Sequence, residues 1–175
     1  MTIDKQETIF KEWLGGYKQL IFKVVRAYSV NREDSDDLFQ EILLGLWLSI
    51  PRYEERAKET TWIYRVALNT ALTWQRNKTR KKRQDKKIIS SLERIAEKVD
   101  ANCRERQTEQ VIEQVYGAIH ELDKVDASIV LMWLDGLSYE QIAEVLGISK
   151  SNVGVKLNRA KKQLAQLLKG LIDDI

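Results

Sequence analysis

The sequence predicts an all-α chain of two small helical domains joined by a charged linker, the C-terminal one a helix-turn-helix. Three observations carry this. Helix breakers are few, with 8 Gly and 1 Pro in 175 residues, while Leu, Ile, Ala, Glu, Lys, Arg and Gln are plentiful. Apolar residues recur at helical rather than alternating spacing. A strongly polar stretch over 84–106 separates two regions that both carry this pattern.

In the first region, Ile9, Phe10, Trp13, Leu14, Tyr17, Leu20, Ile21, Val24, Val25 and Tyr28 form one apolar stripe from about Thr8 to Ser29. Gly15-Gly16 interrupts it, and each interior Gly costs about 1 kcal/mol relative to Ala, so two helices or one kinked helix are expected. Asn31 to Ser35 supplies capping residues, and Asp34, Asp36 and Asp37 put negative charge at the positive end of a helix running to about Ser49. Pro51 disfavours helical backbone at Ile50 and stops it. After a polar loop over 52–59, Thr60 or Thr61 can cap a third helix. Its expected buried side is Trp62, Ile63, Val66, Ala67, Thr70, Ala71 and Trp74, and it continues into a basic run.

Between Lys81 and Arg106 the only large aliphatic residues are Ile88, Ile89, Leu92, Ile95 and Val99, scattered as in a partly helical linker. Val111, Ile112, Val115, Tyr116 and Ile119 mark a fourth helix, Ala127 to Leu134 a fifth, and Asp135-Gly136 ends it. The expected boundaries are 6–83, 84–106 and 107–172.

The most specific signal follows. Ser138 with Gln141 three residues on is a capping-box pattern. Ile142, Ala143, Val145 and Leu146 give a short helix its buried side, with small Ala143 permitting a close crossing. Gly147 supplies a left-handed turn residue, Ile148 plugs the core, and Ser149 caps the next helix. This is a helix-turn-helix. Its second helix has Val153, Leu157, Ala160, Leu164, Leu167 and Leu171 at core spacing. Ser149, Lys150, Ser151, Asn152, Lys156, Arg159 and Lys162 remain for phosphates and base edges in a major groove. Asn152 and Lys156, four residues apart, are expected to meet bases together. Arg159 and Lys162, further along, are expected to meet backbone.

Charge distribution agrees with a polyanion partner. The net charge of +3 says little, but Arg76 to Lys87 holds eight basic residues against Asp85, and Lys150 to Lys169 six with no acid. A single cysteine, Cys103, excludes an internal disulfide, and one histidine, His120, leaves no set for structural zinc. No metal or other cofactor is expected. The first dozen residues do not read as a secretory signal, and no run approaches the roughly 20 apolar residues that span a bilayer. A cytoplasmic chain without membrane insertion is expected.

Two further groupings carry chemistry. Asp36, Asp37, Gln40 and Glu41 share a helix with Leu44 and Trp47, so an acidic rim sits beside an apolar anchor, as a protein interface needs. Trp62, Tyr64 and Trp74 can stack on unpaired bases or pack in a core, with Arg65, Arg76, Lys78 and Arg80 placed to hold a nucleic-acid backbone.

In series these segments resemble the extracytoplasmic-function group of bacterial RNA polymerase sigma factors. Asp34-Ser35-Asp36-Asp37-Leu38-Phe39-Gln40-Glu41-Ile42-Leu43-Leu44-Gly45-Leu46-Trp47 looks like the family's polymerase-binding helix, and Thr61-Trp62-Ile63-Tyr64-Arg65-Val66-Ala67-Leu68-Asn69-Thr70-Ala71-Leu72 like its promoter-melting helix. The resemblance implies a non-enzymatic initiation subunit. Asp36, Asp37, Gln40, Glu41, Leu44 and Trp47 would dock on the beta-prime clamp helices of core polymerase. Trp62, Tyr64, Arg65, Asn69, Arg76, Lys78 and Arg80 would serve the minus-ten element. The helix-turn-helix would serve the minus-thirty-five element, with the beta flap as a second polymerase contact and an anti-sigma factor as a regulatory partner. Two rivals are a repressor that binds duplex operators without polymerase and a nucleic-acid-processing enzyme using Asp36, Asp37 and Glu41 with a metal.

Overall fold

A computed structural model describes residues 2–54, 57–85 and 106–173. Among them every regular element is helical: α1 (Ile3–Tyr28), α2 (Arg32–Ser49), a 3-10 turn (Ile50–Arg52), α3 (Glu59–Asp85), α4 (Arg106–His120), α5 (Lys124–Leu134), α6 (Tyr139–Leu146) and α7 (Lys150–Asp173). The expected linker lies largely outside the described residues, as does Cys103.

Of the two expected forms, α1 excludes the pair of helices: it is a single helix that runs through Gly15-Gly16. Both glycines face solvent, and nothing lies within 4 Å of a side chain built there. Their combined propensity cost of about 2 kcal/mol is outweighed by burial. Trp13, Leu20, Ile21, Val24, Val25 and Tyr28 are buried along one face, at about 1.5–3 kcal/mol per large apolar side chain.

Asn31 caps α2 as expected, its side chain accepting from the Asp34 N–H at 2.8 Å. Leu38, Ile42 and Leu46 are buried four residues apart against α1 and α3. Gly45 sets how closely α2 approaches α3: a Cβ there would lie 2.9 Å from the Thr70 hydroxyl oxygen and 3.5 Å from a Val66 methyl. Both neighbours are β-branched and stiff, so neither can yield cheaply.

Helix α3 begins at Glu59, before either expected capping threonine. Its buried residues include Thr61, Ile63, Tyr64, Ala67, Leu68 and Ala71, while Trp62, Val66, Thr70 and Trp74 are half-buried. The apolar stripe is therefore rotated from the expected one. The reason is that α3 has neighbours on two sides, α1 and α2 on one and α6 on the other.

The C-terminal half is assembled around α5, whose residues 126–132 are all buried. Asp123 caps it, and Gly136 (φ +78°) turns the chain away from it. Ser138 and Gln141 form the full capping box of α6, and Gly147 adopts the left-handed conformation (φ +67°) between α6 and α7. Val153, Leu157 and Ala160 bury the inner face of α7. The helix-turn-helix is built as its residues dictate.

The two halves pack on each other. Buried residues of α1–α3 and of α4–α7 belong to one connected cluster. Around it the Tyr28 hydroxyl donates to the Lys124 carbonyl (2.9 Å) and lies 2.5 Å from the Ser128 hydroxyl. The Arg26 guanidinium sits 4.8 Å from the centre of the Tyr116 ring. The Arg26 carbonyl, 3.1 Å from His120 Nε2, can only accept, so that nitrogen carries the proton. Burial pushes the His120 pKa below its ordinary value, and pushes that of Tyr28 up to about 12.

Candidate polymerase and nucleic-acid interfaces

Helix α2 buries one face and leaves the other open. Asp36, Asp37, Gln40, Glu41 and Leu44 are exposed, Leu44 by 53%. The helix extends this open face to Leu48, 60% exposed and four residues beyond Leu44, a residue the sequence reading passed over. Asp37, Glu41, Leu44 and Leu48 fall at i, i+4, i+7 and i+11, one continuous strip. Trp47 departs from the expected anchor role. It is half-buried, with Phe10 packed edge-on at 5.4 Å, so its ring ties α2 to α1.

The open face of α2 continues into a groove of about 1010 Å³ between α2 and α3. Asp37, Gln40, Glu41 and Leu44 line it from α2, and Asn69, Trp74 and Lys78 from α3. Residues assigned from the sequence to polymerase and to the minus-ten element thus share one concavity. Asn69 and Arg76 are exposed. Lys78 is engaged within the fold, paired with the largely buried Asp34 and lying 5.0 Å from the centre of the Trp74 ring. Trp62 is half-buried, its indole N–H donating to Ser49 Oγ at 3.1 Å. The Arg80 side chain lies outside the described residues.

On α7, Ser151, Asn152, Val155, Asn158 and Lys162 make an exposed strip, with Ser149 and Lys150 exposed just before it. Val155 is 70% exposed.

Two family models divide the chain between them: Sigma-70 region 2 matches residues 14–81 and Sigma-70, region 4 matches residues 112–164. The ECF RNA polymerase sigma-E factor of Haemophilus influenzae is 27% identical over 162 residues, covering 89% of this chain and 85% of that protein. ECF RNA polymerase sigma factor SigW of Bacillus subtilis is 24% identical over 165 residues, covering 89% and 86%. In fold, the chain is similar to the sigma factor RpoE in its complex with the anti-sigma factor NepR from Bartonella quintana. There the TM-score is 0.73 at 19% identity, covering 91% of this chain and 96% of that one. The chain belongs to the extracytoplasmic-function group of RNA polymerase sigma factors. It is a transcription initiation factor that acts with core polymerase at promoters.

Several sequence-assigned residues of this sigma factor are engaged within the fold. Tyr64 is fully buried, and its hydroxyl donates to Asp135 Oδ2 of the C-terminal half at 2.5 Å. Burial, and then that carboxylate, push its pKa well above the ordinary tyrosine range. Its neighbour Arg65 donates to the Glu144 carbonyl at 2.7 Å. Lys156 turns inward instead of joining Asn152 on the open face. Its ammonium lies 3.2 Å from Asp126 Oδ1, while Arg159 reaches Oδ2 through Nε at 3.1 Å and through its terminal nitrogen at 2.5 Å. Asp126 is 1% exposed, so an unscreened carboxylate outcompetes solvent for both cations. The exposed positions beside these cations are Val155, just before Lys156, and Asn158, just before Arg159. Val155 is apolar and Asn158 uncharged, so neither carries the basic character that marks a nucleic-acid contact in a sequence. Lys150 is paired with Glu140 at the helix-turn-helix entrance.

No helix among the described residues is long and apolar enough to cross a membrane.

Proposed function

We propose that residues 6–83 bind polymerase and hold the melted minus-ten element, and that residues 107–172 read the minus-thirty-five duplex. The observation that carries this division is the strip Asp37, Glu41, Leu44 and Leu48, an exposed acidic and apolar surface on the helix opposite its core face. Two exposed leucines flanked by carboxylates and Gln40 suit a protein surface that buries apolar area inside a polar rim. The partner surface is the beta-prime clamp helices of core polymerase. The beta flap is the second polymerase contact, made by the C-terminal half. An anti-sigma factor is a further partner. Support comes from the fold relative RpoE, solved in complex with the anti-sigma factor NepR, and from CnrH, solved in complex with the cytosolic domain of CnrY.

Co-purification with core polymerase tests the reading. Gln40→Ala with Glu41→Ala is expected to weaken the complex while leaving the circular dichroism spectrum and the melting temperature of the free chain unchanged, since both residues are exposed. Unfolding of the double variant, or full retention of binding, would overturn the assignment.

On α7, base reading falls to Asn152, Val155 and Asn158 in this reading, which their exposure along one strip supports. An amide can pair bidentately with adenine and an apolar side chain can meet a thymine methyl. Ser151, Lys150 and Lys162 flank the strip for phosphate contacts. Asn158→Ala should therefore reorder the affinities of holoenzyme for minus-thirty-five variants, by about 1–3 kcal/mol at the base it reads. Lys162→Ala should weaken all variants alike and lower the salt slope by about 0.9. Binding to a small promoter library across three salt concentrations separates the two. A uniform loss for Asn158→Ala would make it a backbone contact.

A further inference from the structure

The first turn of α5 and the outer side of α7 meet at one buried carboxylate. Asp126 is 1% exposed. Its Oδ1 accepts from the Lys156 ammonium at 3.2 Å, and its Oδ2 from Arg159, through Nε at 3.1 Å and one terminal nitrogen at 2.5 Å. Stability alone is a weak reason for this triad. Helices α5 and α7 already pack on each other, with Ile129 and Val130 buried on one and Val153, Leu157 and Ala160 on the other, and a buried ion pair adds little over apolar residues of the same volume. What the triad does fix is the direction of one guanidinium. Arg159 stands four residues after Val155 and seven after Asn152, so its backbone lies on the exposed strip of α7. Held through Nε and one terminal nitrogen, it has the second terminal nitrogen without a partner among the described residues, and its side chain is 62% exposed. Lys156 differs, its side chain 25% exposed and its ammonium given over to Asp126. The three groups together carry one net positive charge. Because Lys156 offsets the carboxylate, that charge is left to the open edge of the guanidinium.

We propose that Asp126 is a positioning residue for promoter binding: from α5 it holds Arg159 edge-on, so that the open edge of the guanidinium meets a phosphate of the minus-thirty-five duplex, with Lys156 as counter-charge. The proposal rests on the reading of α7 as the helix that enters that duplex. Arginine suits the task because its planar fork can bind a carboxylate along one edge and a phosphate along another, which the point charge of a lysine cannot. Ordering the side chain before DNA arrives removes that cost from the binding step. Asp126 is sealed in the fold and acts through Arg159 alone.

The test measures binding of holoenzyme to a cognate promoter fragment that carries the minus-thirty-five duplex and to one that ends short of it. Asp126→Asn separates two readings by sign. Removing an acid beside DNA raises affinity if Lys156 and Arg159 are ordinary surface charges. Positioning gives the reverse, a loss of about 2–10-fold on the longer fragment, equivalent to ordering one long side chain at the moment of binding. In an Arg159→Ala chain, which by itself should lower the salt slope by about 0.9, Asp126→Asn should reduce affinity no further, whereas damage to the fold would add in full. Arg159→Lys keeps the charge and a partner for Asp126, yet should lose most of what Arg159→Ala loses. This variant decides the matter if Asp126→Asn does not fold. Equal or tighter binding by Asp126→Asn, a loss that persists in the Arg159→Ala chain, or wild-type affinity for Arg159→Lys overturns the positioning role while leaving α7 as the reader of the duplex. If wild-type holoenzyme bound both fragments equally, the reading of α7 would fail and the positioning role with it.

Discussion

Replacing Lys156 and Arg159 together by alanine is expected to cost the C-terminal half about 3–5 kcal/mol, the penalty for leaving a buried carboxylate unpaired. Asp126 is 1% exposed, and these two cations are the partners its oxygens have in the fold. Either single alanine leaves one cation behind and should cost less, Lys156→Ala least because Arg159 makes two of the three hydrogen bonds. Adding Asp126→Asn to the double variant removes the stranded charge and should recover part of the loss. Urea unfolding followed at Trp133 checks all four chains. A double variant within about 1 kcal/mol of wild type would mean that Asp126 is solvated, and that both cations remain free for DNA.

Leu44→Asp combined with Leu48→Asp is expected to have the second largest effect, on binding rather than on folding. Exposed by 53% and 60%, the two leucines contribute little to the core, and surface changes of this kind stay within about 0.5 kcal/mol of stability. If they are the apolar centre of a polymerase interface, loss of even one anchor costs about 2 kcal/mol or more, roughly 30-fold in affinity. Fluorescence anisotropy of labelled sigma factor against core polymerase gives the number. Equal affinity for the double variant and wild type would move the interface elsewhere on α2.

What could be read in the sequence was local. The capping box at Ser138 and Gln141, the left-handed Gly147 and the cap at Asn31 lie within a few residues of what they act on, and each forms as its spacing requires. Residues whose partners are far along the chain were not legible. Tyr64 falls off the α3 stripe facing α1 and α2, so it reads as outward, yet Asp135 lies 71 residues away and covers it. Lys156 shares a face with Asn152 by spacing alone, but Asp126, 30 residues earlier, draws it inward. Trp47 is another such case, exposed by pattern and covered by Phe10. Helix α1 passed through Gly15-Gly16 for the converse reason: local propensity marked a break, and burial of the flanking apolar residues overrode it. Leu48 and Val155 went unassigned because an exposed apolar residue leaves no mark in the sequence until its helix is docked.

Promoter-directed transcription reconstituted from purified core polymerase tests the central claim most directly. With the wild-type chain, core polymerase is expected to start at one defined position on cognate promoter fragments, and the Leu44→Asp, Leu48→Asp chain should lose this start while keeping its fold. Alone, the chain should bind the same duplex weakly. Tight, sequence-specific binding to duplex DNA by the chain alone, with transcription blocked rather than started when polymerase is added, would contradict the account and point to a repressor.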